Sequence, residues 1–287
     1  MSSTLVNPPT PMPQESGFSP RQLDQISFQV VMQLIAWLGL LLLIAPSMII
    51  LITSFSASPT LQFPPPGFSL QWYTSLFSFP ELRAAALNSF QVALITTLVC
   101  VVLGVSACLA MINSKGRWVI AVDALVMSPL ALPGVALGLG MMTFFAMMGV
   151  QLSLFTLIVS HIVICTPYVV RNVLASLSQL GSSLQEASTA LGASPVYTFF
   201  KVTLPLIRPG VLIGAFMAFL TSFDNVAVTL FLSDARTDML PIRMWSMIQN
   251  DLDVRAAAIS GVLIFLTALL MILMERFSSL SKALIGN

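Results

Sequence analysis

Charge is what this sequence has least of. Among 287 residues, 12 Lys and Arg and 11 Asp and Glu make up 8%, where a soluble domain carries about a quarter. None falls in residues 25–80, 84–114, 124–170 or 256–274. A bilayer crossing takes about 20 apolar residues, so each of these runs is long enough to span. With 57% hydrophobic residues, the chain reads as an all-α polytopic membrane protein.

Other scarcities exclude other classes. A net charge of +1 with no basic cluster leaves nothing to meet a phosphate backbone, so no nucleic acid is expected as a partner. The three cysteines, Cys100, Cys108 and Cys165, all lie in apolar runs, which suits packing rather than disulfides. The single histidine, His161, stands i, i+4 to Cys165; two ligands are too few for a closed zinc site. No metal or cofactor is expected, and His161 reads as a buried, hydrogen-bonded residue. No Gly-x-x-x-x-Gly-Lys-Ser/Thr loop is present, so the chain lacks the usual cradle for ATP. No nucleophile stands with an evident base, so it does not read as an enzyme. Residues 1–28 hold no apolar core and include Asn7-Pro8-Pro9-Thr10-Pro11-Met12-Pro13, which reads as a disordered cytoplasmic tail rather than a signal peptide.

What is present divides into a membrane-spanning core at residues 29–278 and a short cytoplasmic tail at 279–287. Hydropathy places six spans at Val30–Ile52, Phe90–Ile112, Ala124–Met148, Leu152–Leu174, Val211–Leu232 and Ala256–Met274. Only Gly149, Val150 and Gln151 separate the third and fourth, which predicts a tight hairpin. With the N-terminus inside, eight basic residues fall inside (Arg21, Lys115, Arg117, Arg171, Lys201, Arg208, Arg276, Lys282) and four outside (Arg83, Arg236, Arg243, Arg255). That asymmetry puts both termini in the cytoplasm. Outside, Leu70-Gln71-Trp72-Tyr73 predicts a short interfacial helix, and the polar connection Ser233–Arg255 is suited to a soluble partner.

The connection between the fourth and fifth spans, Ala175–Gly210, reads as two short helices. Ser183 and Glu186 have capping-box spacing, Gly192 can take the left-handed position that ends a helix, and Ser194-Pro195 has the order that restarts one. Pro205 and Pro209-Gly210 are expected to break the chain again before the fifth span.

Here the residues carry a resemblance. Glu186-Ala187-Ser188, three residues to Gly192, nine more to Val202, then Leu204-Pro205, resembles the Glu-Ala-Ala, x3, Gly, x9, Ile, x, Leu-Pro loop of binding-protein-dependent ABC importer permeases of the type I family. Ser188 stands where the pattern has Ala, and Val202 where it has Ile. Phe68-Ser69-Leu70-Gln71-Trp72-Tyr73, Asn88-Ser89-Phe90, Pro133-Gly134, Thr166-Pro167-Tyr168, Ser222-Phe223-Asp224-Asn225, Val228-Thr229-Leu230-Phe231-Leu232 and Leu240-Pro241-Ile242-Arg243-Met244 extend the likeness, most closely to the spermidine/putrescine branch.

The resemblance implies a permease subunit of the bacterial inner membrane. It implies a cytoplasmic coupling helix between spans four and five that docks on one of two cytoplasmic ATPases. The same family pairs its permease with a second one, here expected to be a different chain. A periplasmic binding protein delivers the small solute. By position, Glu186, Ala187, Ser188, Leu191, Gly192, Val202, Leu204 and Pro205 are the expected ATPase-coupling residues. Glu186 and Gly192 have competing local roles in capping their helix.

Asp224 lies about fourteen residues into the fifth span, where an ionised carboxylate is costly unless it meets water or a partner. With Thr221 and Asn225 it is a candidate for the translocation path. A helix-breaking or packing role, or an ion pair with the second permease, stands beside that reading. Asp123, six residues after Arg117, reads as interfacial. Gly134, Gly138 and Gly140 follow Pro129 and Pro133, giving a small-residue face and a kink. Rival functions are a permease for another small solute in the same family, an ion-coupled secondary transporter, for which coupling groups and an internal repeat are not evident, and a membrane enzyme.

Overall fold

The structure, a computed structural model, describes residues 20–285 apart from 113, 115, 182 and 235, with the backbone alone for residues 20–27, 183 and 277–285. Of the tail expected at residues 1–28, residues 1–19 lie outside the described residues, as do Lys115, the Ser183 side chain and residues 286–287, while residues 20–28 are helical rather than disordered. The chain divides into two units, residues 1–50 and 51–287. The first is built on helix α1 (Pro20–Ser54), which contains the first expected span and whose last residues belong to the second unit.

In the second unit, α2 (Gln71–Ser75) leads through a 3₁₀ turn to α3 (Pro80–Ile112), followed by α4 (Arg117–Ala131), α5 (Gly134–Met147) and α6 (Leu154–Ser178). Two short helices, α7 (Ser183–Ala190) and α8 (Pro195–Thr198), precede α9 (Leu204–Phe223), α10 (Thr229–Leu232), α11 (Leu240–Asp251) and α12 (Val254–Ile285). Among the described residues the regular structure is helical, with two isolated bridges, Ser56–Phe68 and Thr60–Asp253. In a bilayer a helix satisfies every backbone donor and acceptor internally, which is why apolar runs of this length take this form.

Helices α3, α6 and α9 form the centre. Cys100 Sγ lies 3.6 Å from the Ile162 carbonyl and Cys108 Sγ 3.5 Å from that of Val170; the equal eight-residue advance on both helices shows that they run parallel. Helix α9 runs the other way, since Ser222 meets His161 while Gly214 packs on Val169 further along α6. Val169, Val170, Val173, Ile207 and Ala218 are completely buried between them. The three cysteines are buried and unpaired there, as their apolar setting predicts.

Among the described residues five helices are long and apolar enough to span: Phe28–Ser54, Pro80–Ile112, Leu154–Ser178, Pro195–Phe223 and Val254–Arg276. The third expected span, Ala124–Met148, is corrected in form: it passes as a span only when two bent helices are taken together. It is a pair, α4 and α5, bent by 109° at Leu132-Pro133. Proline has no amide hydrogen to continue the ladder and forces the preceding residue toward extended geometry, and Leu132 is extended.

The fifth span is corrected as well. Pro205 and Pro209-Gly210 do not interrupt it: helix is continuous over Pro195–Phe223, with a π segment at Phe199–Thr203. The widened turn immediately before Pro205 relieves the clash of its ring with the carbonyl four residues back. The break comes later, at residues 224–228, where Val211–Leu232 was expected to run on.

The two connections assigned to the outside meet at one end of the bundle, opposite α7 and α8. Leu61 N–H donates to the Leu252 carbonyl and Val254 N–H to that of Pro59. Ser89 Oγ accepts from Leu240 N–H at 2.8 Å, and Arg243 bridges Glu81 at 2.9 Å and Asp238 at 3.2 Å. The expected helix at Trp72 and Tyr73 is α2, tied by Trp72 Nε1 to the Ser56 carbonyl at 2.9 Å and by Tyr73 to Ser54 at 2.6 Å. Helix α11 in the second connection was not anticipated.

Candidate functional site

Helix α7 ends as its glycine predicts. Gly192 has φ +83°, a conformation that costs a residue bearing Cβ. Its N–H donates to the Thr189 carbonyl, while Ala193 N–H donates to that of Ser188, the paired bonds that satisfy a helix C-terminus. Ser194 then caps α8, its hydroxyl accepting from Tyr197 N–H at 3.2 Å, with Pro195 first in the helix. At the other end of α7, Glu186 lies in the first turn, where a carboxylate complements the helix dipole.

Two side-chain bonds fold α7 back onto the following helix: Ser188 Oγ to Thr198 Oγ1 at 2.8 Å, and Gln185 Nε2 to Thr203 Oγ1 at 3.3 Å. The expected coupling residues thereby separate into two groups. Glu186, Ala187, Leu191 and Gly192 are exposed on the hairpin, as is Pro205 at the start of α9. Ser188, Val202 and Leu204 are half-buried, and Leu204 packs against the main core. Leu191, 89% exposed, is the most exposed large apolar side chain described. Together with Val196, Tyr197 and Phe200 it makes an apolar surface on an otherwise polar loop, which marks a partner-binding surface more often than a free one.

At the far end of the continuous helix, about 40 Å from Pro195 at 1.5 Å per residue, lie Thr221, Asp224 and Asn225. Asp224 is the residue that closes α9 (φ −98°, ψ 14°); it stands at the break, not inside a helix. Its side chain is exposed. Thr221 is half-buried, and Asn225 Oδ1 accepts from Val228 N–H at 2.9 Å, starting the next helical turn. The residues expected for coupling and those expected for the path are therefore not brought together: the first group lies on or just after α7 and at the start of the Pro195–Phe223 helix, the second at and beyond its far end.

The break is held from two sides. His161 is completely buried, with Nδ1 2.8 Å from Ser222 Oγ and Nε2 3.1 Å from Thr229 Oγ1. From α5, Gly138 lies so close that an added Cβ would be 2.9 Å from the Ala227 carbonyl oxygen and 3.0 Å from Val228 Cα; at Gly134 it would be 3.0 Å from the Ala227 Cβ. Gly140 meets nothing within 4 Å. Gly134 and Gly138 thus pack against the irregular segment at Ala227 and Val228, and irregular backbone at membrane depth needs such protein cover.

Two further acids are accounted for. Asp123 pairs with Arg171 at 3.7 Å. Asp234 accepts from the Thr237 hydroxyl at 2.7 Å and from the Arg236 and Thr237 amides; the hydroxyl above all holds its carboxyl below the usual range. Among the described residues no cluster of three His, Cys, Asp or Glu could hold a metal.

Membrane-length helices around a tight three-helix centre define a polytopic membrane protein. More particularly, the chain belongs to the binding-protein-dependent transport system inner membrane components, whose family model matches residues 100–281. It is 28% identical over 209 residues to the spermidine/putrescine transport system permease protein PotC of Haemophilus influenzae, spanning 73% of this chain and 81% of that protein. It is also 28% identical over 215 residues to the molybdenum transport system permease protein ModB of Mycobacterium bovis, spanning 70% and 81%. A bacterial ABC transporter involved in alginate import has the same fold, with a TM-score of 0.70 at 14% identity over 90% of this chain and 97% of that one. The motif resemblance to the importer permeases, and to their spermidine/putrescine branch, is borne out.

Sequence reasoning found His161 and its burial but not its partners. Ser222 and Thr229 lie sixty-one and sixty-eight residues further on, with no pattern linking them to it. Thr198, which explains Ser188, was missed for the same reason.

Proposed function

We propose that this chain is the membrane-spanning permease subunit of an ATP-driven importer, with both termini in the cytoplasm and the α7 hairpin docked on a cytoplasmic ATPase. A second, different permease pairs with it, two ATPases serve the pair, and a periplasmic binding protein delivers solute to the surface formed by the two outer connections. The solute is a small organic cation of the polyamine class, putrescine or spermidine. Glu186, Ala187, Leu191 and Gly192 contact the ATPase. Ser188, Val202, Leu204 and Pro205 hold the hairpin on its helix. Thr221, Asp224 and Asn225 line the path.

The observation that carries this reading is the uninterrupted helix from Pro195 to Phe223, which joins an exposed apolar hairpin to a helix break bearing an exposed carboxylate. Displacing the hairpin displaces the break, because a helix transmits movement along its axis rather than absorbing it. A closing ATPase pair would thereby alter access at Asp224. The polyamine assignment draws support from the spermidine/putrescine permease relative and from Asp224, which offers an acceptor to an amine. A second reading, transport of another small solute, is favoured by the molybdenum permease relative at the same identity.

Uptake of labelled putrescine and spermidine, with the gene deleted, with Glu186→Ala and after ATP depletion, tests the proposal. Loss in all three is expected. Uptake of another solute, lost on ATP depletion, would replace the polyamine but keep the importer; uptake that follows an ion gradient without ATP would overturn both.

A further inference from the structure

Within the centre of the bundle one buried polar side chain bonds both edges of the break that ends α9. His161 projects from α6 with no exposed surface. Its two ring nitrogens reach hydroxyls on opposite sides of the break: Ser222, in the last turn of α9, and Thr229, the first residue of α10. Between them lie Asp224 and Asn225. A neutral imidazole has one donor and one acceptor, and a hydroxyl can complement either, so both contacts are satisfied without burying a charge. Burying three polar side chains away from water is unfavourable unless each is bonded, and here each is.

We propose that His161 is a positioning residue for the translocation path: it staples the two ends of the broken fifth span to α6 and so sets where Asp224 and Asn225 stand. The geometry explains why the break has a defined shape. Residues 224–228 lack a helical ladder of their own, and Gly138 presses on only one side of them, at Ala227 and Val228. The histidine supplies the second constraint, from the helix that runs parallel to α3 and antiparallel to α9. A phenyl ring of the same shape would fill the space but leave the Ser222 and Thr229 hydroxyls without their partner, whereas glutamine keeps an amide near the position of Nε2. This inference rests on the path role given to Asp224, and its test is chosen to separate the two.

The test uses the assembled complex with Asp224→Cys as reporter. Cys100, Cys108 and Cys165 are buried, so a hydrophilic maleimide reads position 224. In the His161→Phe background the rate of modification is expected to change roughly fivefold or more, the scale of a lost buried hydrogen bond, and in His161→Gln, which keeps the Thr229 contact but not the Ser222 one, to change by less. Equal rates in all three would overturn the staple, and so would an equal change in the Phe and Gln variants. If His161→Phe fails to assemble, Ser222→Ala with Thr229→Val removes both partners while leaving the ring; a changed rate supports the staple and an unchanged one overturns it. Solute uptake by Asp224→Asn, with His161 intact, reports on the path separately: a wild-type KM there removes the path role while the labelling result still decides the staple.

Discussion

The Ser188 hydroxyl lies 2.8 Å from that of Thr198, pinning the exposed α7 hairpin to the base of the long helix that continues into the membrane. Ser188 stands where the importer-permease loop pattern has alanine, and its partner shows why a polar residue is accommodated: Thr198 is only 7% exposed and its hydroxyl needs a mate. Ser188→Ala should weaken ATP-driven uptake and loop stability by about 1 kcal/mol, the usual net worth of such a bond. Adding Thr198→Val removes the orphaned hydroxyl, so the double variant should lie closer to the parent than the two single effects summed. A double-mutant cycle on thermal unfolding of the complex checks it.

Glu186→Ala separates docking from capping. The carboxylate is exposed in the first turn of α7, where its interaction with the helix dipole is worth about 0.3–1 kcal/mol. Glutamine lacks the charge but still accepts hydrogen bonds. Loss of solute-stimulated ATP hydrolysis in both Ala and Gln variants, with the complex still assembled, is expected from a docking role; normal uptake with normal assembly would count against it.

Gly192→Val places a branched side chain at φ +83°, at a cost of about 1–2 kcal/mol in the left-handed region. Nothing lies within 4 Å of the position an added Cβ would take, so the strain is conformational. The hairpin turn should loosen and ATP-driven uptake should fall while the yield of membrane-inserted protein is unchanged. Uptake rate normalised to inserted protein is the readout.

Much of this was legible in the residues. The Gly192 stop, the Ser194-Pro195 restart and the helix at Trp72-Tyr73 are local signals, and the structure has each where the sequence places it. The breaks were harder. Hydropathy reads α4 and α5 as one run because a bend at Leu132-Pro133 changes direction without changing polarity. Pro205 and Pro209 look like punctuation but sit inside a continuous helix, with a π turn before Pro205 making room for it. The end of the fifth span at Asp224 was masked by the apolar Val226-Ala227-Val228 that follows. Pairings such as His161 with Thr229 are set by tertiary packing and leave no periodic trace.

Gly138→Val and Gly140→Ala form a contrast. A Cβ at Gly138 would press on the Ala227 carbonyl and Val228 Cα, both backbone atoms, while at Gly140 it meets open space. Overpacking of this kind costs about 1–3 kcal/mol. Gly138→Val should lower the Tm of the complex and abolish uptake; Gly140→Ala should change neither.

The most direct test of the central claim, that the exposed hairpin is the ATPase-docking surface, is co-purification of the ATPase with the permease. Leu191→Asp alters the most exposed apolar residue of the hairpin; Phe77→Asp, 76% exposed, makes the same chemical change at the opposite end of the bundle. The ATPase should be lost from Leu191→Asp and retained by Phe77→Asp. Equal retention by both variants would contradict the docking role of the hairpin.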